Sequence, residues 1–121
     1  MSIAVAMITV DTTDPIPLAT WWSEQIGGHI VAENEGYFVV VAPRGTGPAL
    51  AFQKVDDPTP GKNRMHLDLT TEDLAAEVAR LLAAGATKVA DREMPGFAWV
   101  TLADPDGNQF CVSGAHPAPD A

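Results

Sequence analysis

The chain contains a single cysteine in 121 residues, Cys111. An internal disulfide is therefore excluded, and a reduced, cytoplasmic setting is expected. Basic residues are scarce: seven Lys and Arg stand against 16 Asp and Glu, a formal net charge of −9. Nucleic acid and anionic membranes both select for a basic patch, so neither is expected as a partner. An acidic field admits a cationic ligand and, more simply, keeps a small domain soluble. No apolar run approaches the ~20 residues that span a bilayer. The opening MSIAVAMITV has neither a basic stretch nor a small-residue cleavage site, so no secretory leader is expected. A glycine-rich phosphate loop, a CxxC pair and a convincing Ser–His–Asp pattern are all missing.

What is present is repetition. Hydrophobic residues make up 46% of the chain, enough for a packed core in one domain. The stretch from ITVDTTDPIPLATWWSEQIGG to ALAFQKV has a counterpart in the stretch from MHLDLTTEDLAAEVARLLAAGA to GNQFCV. Thr12, Gly27 and Phe52 recur as Thr70, Gly85 and Phe110, each pair 58 positions apart. Each copy reads as strand, helix, Gly stop and three strands. Two such βαβββ modules predict an α+β fold: an eight-stranded cupped mixed sheet with helices outside.

Module one is expected at about 3–55 and module two at about 64–113. A linker at 56–63 and a tail at 114–121 complete a single domain over 1–121. IAVAMITV at 3–10 reads as a buried strand. Asp14 is placed to cap a helix with Pro15 at its first turn. Leu18, Trp22 and Ile26 fall on one helical face, which leaves Trp21 off the apolar stripe and partly exposed. Leu74, Val78, Leu81 and Leu82 mark the second helix, which Gly85 ends. Strands are expected near 87–90, 97–102 and 108–113. Asp104-Pro105-Asp106-Gly107 reads as the tight turn before the last strand.

Three local patterns resemble the vicinal oxygen chelate superfamily, which includes glyoxalase I, bleomycin-resistance proteins and extradiol dioxygenases. They are WxxxxGG from Trp22 to Gly28, HLDL from His66 to Leu69, and ADPDGNQFCV from Ala103 to Val112. With the doubled module, the resemblance covers nearly the whole chain and is closest to short actinobacterial glyoxalase-like proteins. It implies a homodimer and a divalent metal held from the first and fourth strands of each module, usually by His or Gln and by Glu. The second-module positions fall on His66 and Cys111, and the 58-residue offset carries them to Ile8 and Gln53. Ile8 offers no lone pair, Gln53 is a neutral, weak oxygen ligand, and neither Glu is present. His66 and Cys111 suit zinc.

The ligand-binding candidates are therefore His66, Gln53, Cys111, Ile8, Phe97 and Trp99, with His66, Gln53 and Cys111 as the candidate metal ligands. Alternation puts His66, Asp68 and Thr70 on one strand face, and puts Phe97 with Trp99 on another. That second face is either the helix-packed outside or the pocket inside. Two functions stay open. One is a small-molecule-binding protein that sequesters a small organic, cationic ligand in the bleomycin-resistance manner, with no cofactor and no family-type metal catalysis. The other is a lyase, isomerase or dioxygenase with an altered metal centre.

Overall fold

The computed structural model describes residues 2–114, and apart from Gly114 the expected tail lies outside them. The fold is α+β, built from two βαβββ modules. Module one runs β1 (Met7–Thr12), α1 (Pro15–Ile26), β2 (His29–Ala32), β3 (Phe38–Ala42) and β4 (Ala49–Lys54). Module two runs β5 (Asp68–Thr70), α2 (Leu74–Ala83), β6 (Thr87–Met94), β7 (Phe97–Ala103) and β8 (Gln109–Ser113). The chain divides into two compact units between Pro60 and Gly61, inside the expected linker.

The eight strands form two four-stranded mixed sheets, ordered β1-β4-β3-β2 and β5-β8-β7-β6. In each, the first strand pairs in parallel with the fourth, and the remaining pairs are antiparallel. Parallel neighbours need a long crossover, and the helix with the next two strands supplies it.

Sheet one has a core face of Val39, Val41, Leu50 and Phe52, all nearly inaccessible, and α1 packs on β3 and β4. Leu18 and Trp22 are the buried members of the expected helical stripe. Trp21 departs from expectation. It is only 9% exposed and meets Trp22 edge-to-face, with ring centroids 5.0 Å apart. A ring that large extends beyond a narrow stripe and still finds cover. In sheet two, Val100, Leu102, Phe110 and Val112 form the matching core face, with Leu81 of α2 buried at 2% exposure. Leu82, expected on the same stripe, is 40% exposed.

The first strand begins later than its composition suggests. Residues 2–6 lie outside any strand, and Ile3 and Val5 are 100% and 70% exposed. Apolar, β-branched composition cannot make a strand where no ladder partner lies alongside. Strand β6 is longer than expected, because Pro95-Gly96 turns it directly into β7 and pairing continues to Met94↔Phe97. The helix starts also differ from each other. Asp14 occupies the cap position of α1 without a side-chain cap bond, whereas Asp73 accepts from the Ala76 amide at 3.1 Å. Both helices end as the sequence indicates, with Gly27 and Gly85 at positive φ of 67° and 110°.

Gly28 is required for a different reason. A Cβ there would stand 2.3 Å from the Ala42 carbonyl oxygen, where β2 meets β3. Gly28→Ala should therefore cost at least about 1–3 kcal/mol through overpacking. Gly45→Ala, whose Cβ would meet nothing within 4 Å, should stay within about 0.5 kcal/mol. Denaturant unfolding of the two variants checks both values.

Candidate functional site

Strand register decides which side chains can act together. In sheet two, Asp68 lies opposite Cys111, Thr101 opposite Cys111, and Trp99 opposite both Ser113 and Arg92. Asp68, Cys111, Thr101, Trp99, Phe97 and Arg92 therefore share one face, and the core residues Val100, Leu102, Phe110 and Val112 occupy the other. This settles the side taken by Phe97 and Trp99. They lie with Cys111, and their rings stack at 5.7 Å between centroids and 30° between planes.

His66 precedes β5 by two residues and joins the same face. Its Nε2 stands 3.3 Å from Asp68 Oδ1. The donor atoms of His66, Asp68 and Cys111 all lie within 4.8 Å of one another. On the other side of Cys111, Sγ is 3.5 Å from Thr101 Oγ1, and Arg92 Nε donates to that oxygen at 3.0 Å. Thr101 is only 4% exposed. With its oxygen accepting from Arg92, the hydroxyl proton is free to point at sulfur. The result is a connected polar row, His66–Asp68–Cys111–Thr101–Arg92, bordered by two stacked rings. Asp91 and Glu93, by alternation, point to the opposite face, and Asp91 pairs with Lys88 at 2.5 Å. They do not acidify this face.

Two features outside the face hold it in register. Asn63, which composition places in the linker, works as a clamp. Its Nδ2 donates to the Met65 and Gln109 carbonyls at 2.7 and 2.9 Å, and its Oδ1 accepts from the Gln109 amide at 2.7 Å. Its side chain thus continues the β5–β8 ladder where the backbone of 64–66 does not, which explains why β5 is only three residues long. At the other end, the nearly buried Asp104 carboxylate accepts from the Asp106 and Asn108 amides at 2.9 Å, fixing the β7–β8 turn. The expected turn at 104–107 is therefore held by its own first side chain.

Sheet one corrects the matching of the copies. Thr12 Oγ1 accepts from the Asp14 amide, and Thr71 Oγ1 accepts from the Asp73 amide. These matched turns lie 59 positions apart, not 58. The strands themselves are matched by their ladders: Asp11 stands opposite Gln53 as Asp68 stands opposite Cys111, so His66 corresponds to Thr9 instead of Ile8. One residue inverts the face of a strand. Ile8 lies opposite the buried Leu50, so it belongs to the core face, whereas Gln53 lies opposite Asp11 on the other side. Ile8 and Gln53 therefore cannot present side chains to one ligand, and Thr9 shares the face of Gln53.

A doubled βαβββ module with its first and fourth strands paired in parallel places the protein in the vicinal oxygen chelate class. Within that class the chain belongs to the glyoxalase-like domain family, whose family model matches residues 7–113. No curated protein matches the sequence. Among solved structures, a glyoxalase/bleomycin resistance/dioxygenase superfamily member from Sphaerobacter thermophilus is 25% identical, with a TM-score of 0.74 over 94% of this chain and 98% of that one. TnmS3, an antibiotic-binding protein from a Streptomyces species, is also 25% identical, with a TM-score of 0.72 over 96% and 99%. A family enzyme from Burkholderia phytofirmans shares the fold at 16% identity, with a TM-score of 0.77 over 92% and 98%.

The metal that the superfamily implies does not fit its usual positions here. The first-strand counterpart of His66 is Ile8 at the 58-residue offset and Thr9 by ladder register, and the fourth-strand counterpart of Cys111 is Gln53. None of these is anionic, and Cys111 stands where a Glu is usual. A four-ligand centre of the family type, with its carboxylate base, is not built into these residues.

Asn63→Ala would leave the Gln109 amide and carbonyl without their partners. It should cost about 1–3 kcal/mol and should accelerate hydrogen exchange at the Gln109 and Cys111 amides more than at Phe52. Exchange measured residue by residue checks this.

Proposed function

We propose that the protein is a small-molecule-binding member of its family that sequesters a planar, cationic organic compound on the polar–aromatic face of its second sheet. The observation that carries this reading is the Phe97–Trp99 stack on the same face as Asp68, whose carboxylate is 57% exposed. Stacked, half-buried rings offer a planar π surface, and a nearby carboxylate favours positive charge on the occupant. The net charge of −9 draws a cation toward the protein at long range. Arg92 is the cation on this face, and its guanidinium donates to Thr101. Similarity to an antibiotic-binding protein over almost the whole chain supports the same class of ligand. Binding of this kind needs no cofactor. The reading includes a homodimer in the cytoplasm. It is consistent with the finding that no helix among the described residues is long and apolar enough to cross a membrane.

A second reading, a lyase, isomerase or dioxygenase with an altered metal centre, is favoured by one observation, the close approach of His66, Asp68 and Cys111. Steady turnover of a substrate that disappears with chelator and returns with metal would establish it over sequestration.

Titration with planar aromatic cations should quench Trp99 fluorescence, and Trp99→Ala should weaken binding about tenfold, equivalent to about 1.4 kcal/mol. A ligand at 100 times its Kd should raise unfolding stability by about 2.7 kcal/mol. Unchanged affinity in Trp99→Ala would remove the second sheet from the reading.

A further inference from the structure

The geometry points to a thiophilic divalent-cation site, best suited to Zn2+, formed entirely within module two by His66, Asp68 and Cys111. It differs from the superfamily's arrangement in two ways. All three donors come from one face of module two, and the carboxylate is Asp68, two residues past His66 at the start of β5, while Cys111 takes the fourth-strand place usual for Glu.

The donor chemistry is suited to the ion. Imidazole nitrogen, carboxylate oxygen and thiolate sulfur are the three protein ligand types that zinc takes, at about 2.0–2.3 Å. Donors at those lengths in a tetrahedron stand roughly 3.3–3.7 Å apart. His66 Nε2 and Asp68 Oδ1 already lie 3.3 Å apart, and the whole set falls within 4.8 Å. Adjustment by side-chain rotation suffices, because His66 and Asp68 are 45% and 57% exposed and Cys111 is half-buried. A neutral imidazole, one carboxylate and one thiolate carry two negative charges, which balance a dication.

A second, independent feature supports sulfur as a ligand. Thr101 is nearly buried, takes a hydrogen bond from Arg92, and presents its hydroxyl to Cys111 Sγ at 3.5 Å. The hydroxyl holds the sulfur on this face, and metal ligands are commonly held by outer partners of this kind. Three protein ligands leave a fourth position open to water or to a small molecule. The alternative for His66 and Asp68 alone, an exposed ion pair, contributes little stability and does not account for Cys111 and Thr101.

Zn2+ held here and an organic cation beside Asp68 compete for one carboxylate, and the metal site can be tested without an organic ligand. Co2+ added to the metal-stripped protein should bind one ion per chain and give a near-ultraviolet sulfur-to-cobalt charge-transfer band, with Zn2+ displacing it. Cys111→Ser should abolish the band. His66→Ala and Asp68→Asn should each weaken Zn2+ binding at least about tenfold, while Gln53→Ala should leave it unchanged. Bound Zn2+ should also protect Cys111 from alkylation. Circular dichroism of each variant confirms folding, and the alkylation arm reads the site in the unaltered chain. Absence of the charge-transfer band, or wild-type affinity in Asp68→Asn, overturns the proposal. Loss of binding in Gln53→Ala overturns it in favour of the family's own ligand positions.

Discussion

The pairing of first and fourth strands is the interaction on which the rest of each module depends. β1 with β4 and β5 with β8 are the only parallel ladders among the described strands. Each joins residues about forty positions apart in the chain, so its closure costs more chain entropy than that of any hairpin in the module. Once closed, it fixes which residues of the first strand look toward the core. In module two it also brings Asp68 beside Cys111, the most consequential contact at the candidate site.

Much of this organisation was legible in the sequence. Two Gly-stopped helices, eight strands and the turn at 104–107 follow from hydrophobic period and turn chemistry, because these signals are local. Alternation alone puts His66, Asp68 and Thr70 on one face. Less was readable where partners are distant. Ser2–Ala6 has the composition of a strand but no ladder beside it. Asn63 resembles any polar residue of a turn, and only the fold reveals its bonds to Gln109, 46 positions away. Thr101 gave no signal as a buried hydroxyl behind a sulfur, since strands commonly carry threonine.

The repeat shows how an internal coordinate system can mislead. Matching Gly27 with Gly85 and Phe52 with Phe110 gives an offset of 58, while the helix-entry turns are offset by 59. A helix tolerates such a slip as a rotation of about 100°. A strand does not, because its facing reverses at each residue. At the ladders the first strands are 57 apart, Asp11 opposite Gln53 against Asp68 opposite Cys111, so Ile8 stands one residue from Thr9, the counterpart of His66. A ladder pair such as Asp11 with Gln53 anchors the numbering of a strand better than a shared residue type, since it records the same backbone event in both copies.

The shortness of β5 has a kinetic consequence. Three residues, at the rim of a four-stranded sheet and held by one neighbour and one asparagine, make the least expensive segment of module two to detach. His66 and Asp68 ride on that segment, while Cys111, Thr101 and the two rings belong to strands with partners on both sides. Half of the candidate site is thus mounted on a fixed wall and half on a strip that can breathe. Exchange of whatever occupies the face is then governed by fraying at 64–70, and it can be rapid without any opening of the core.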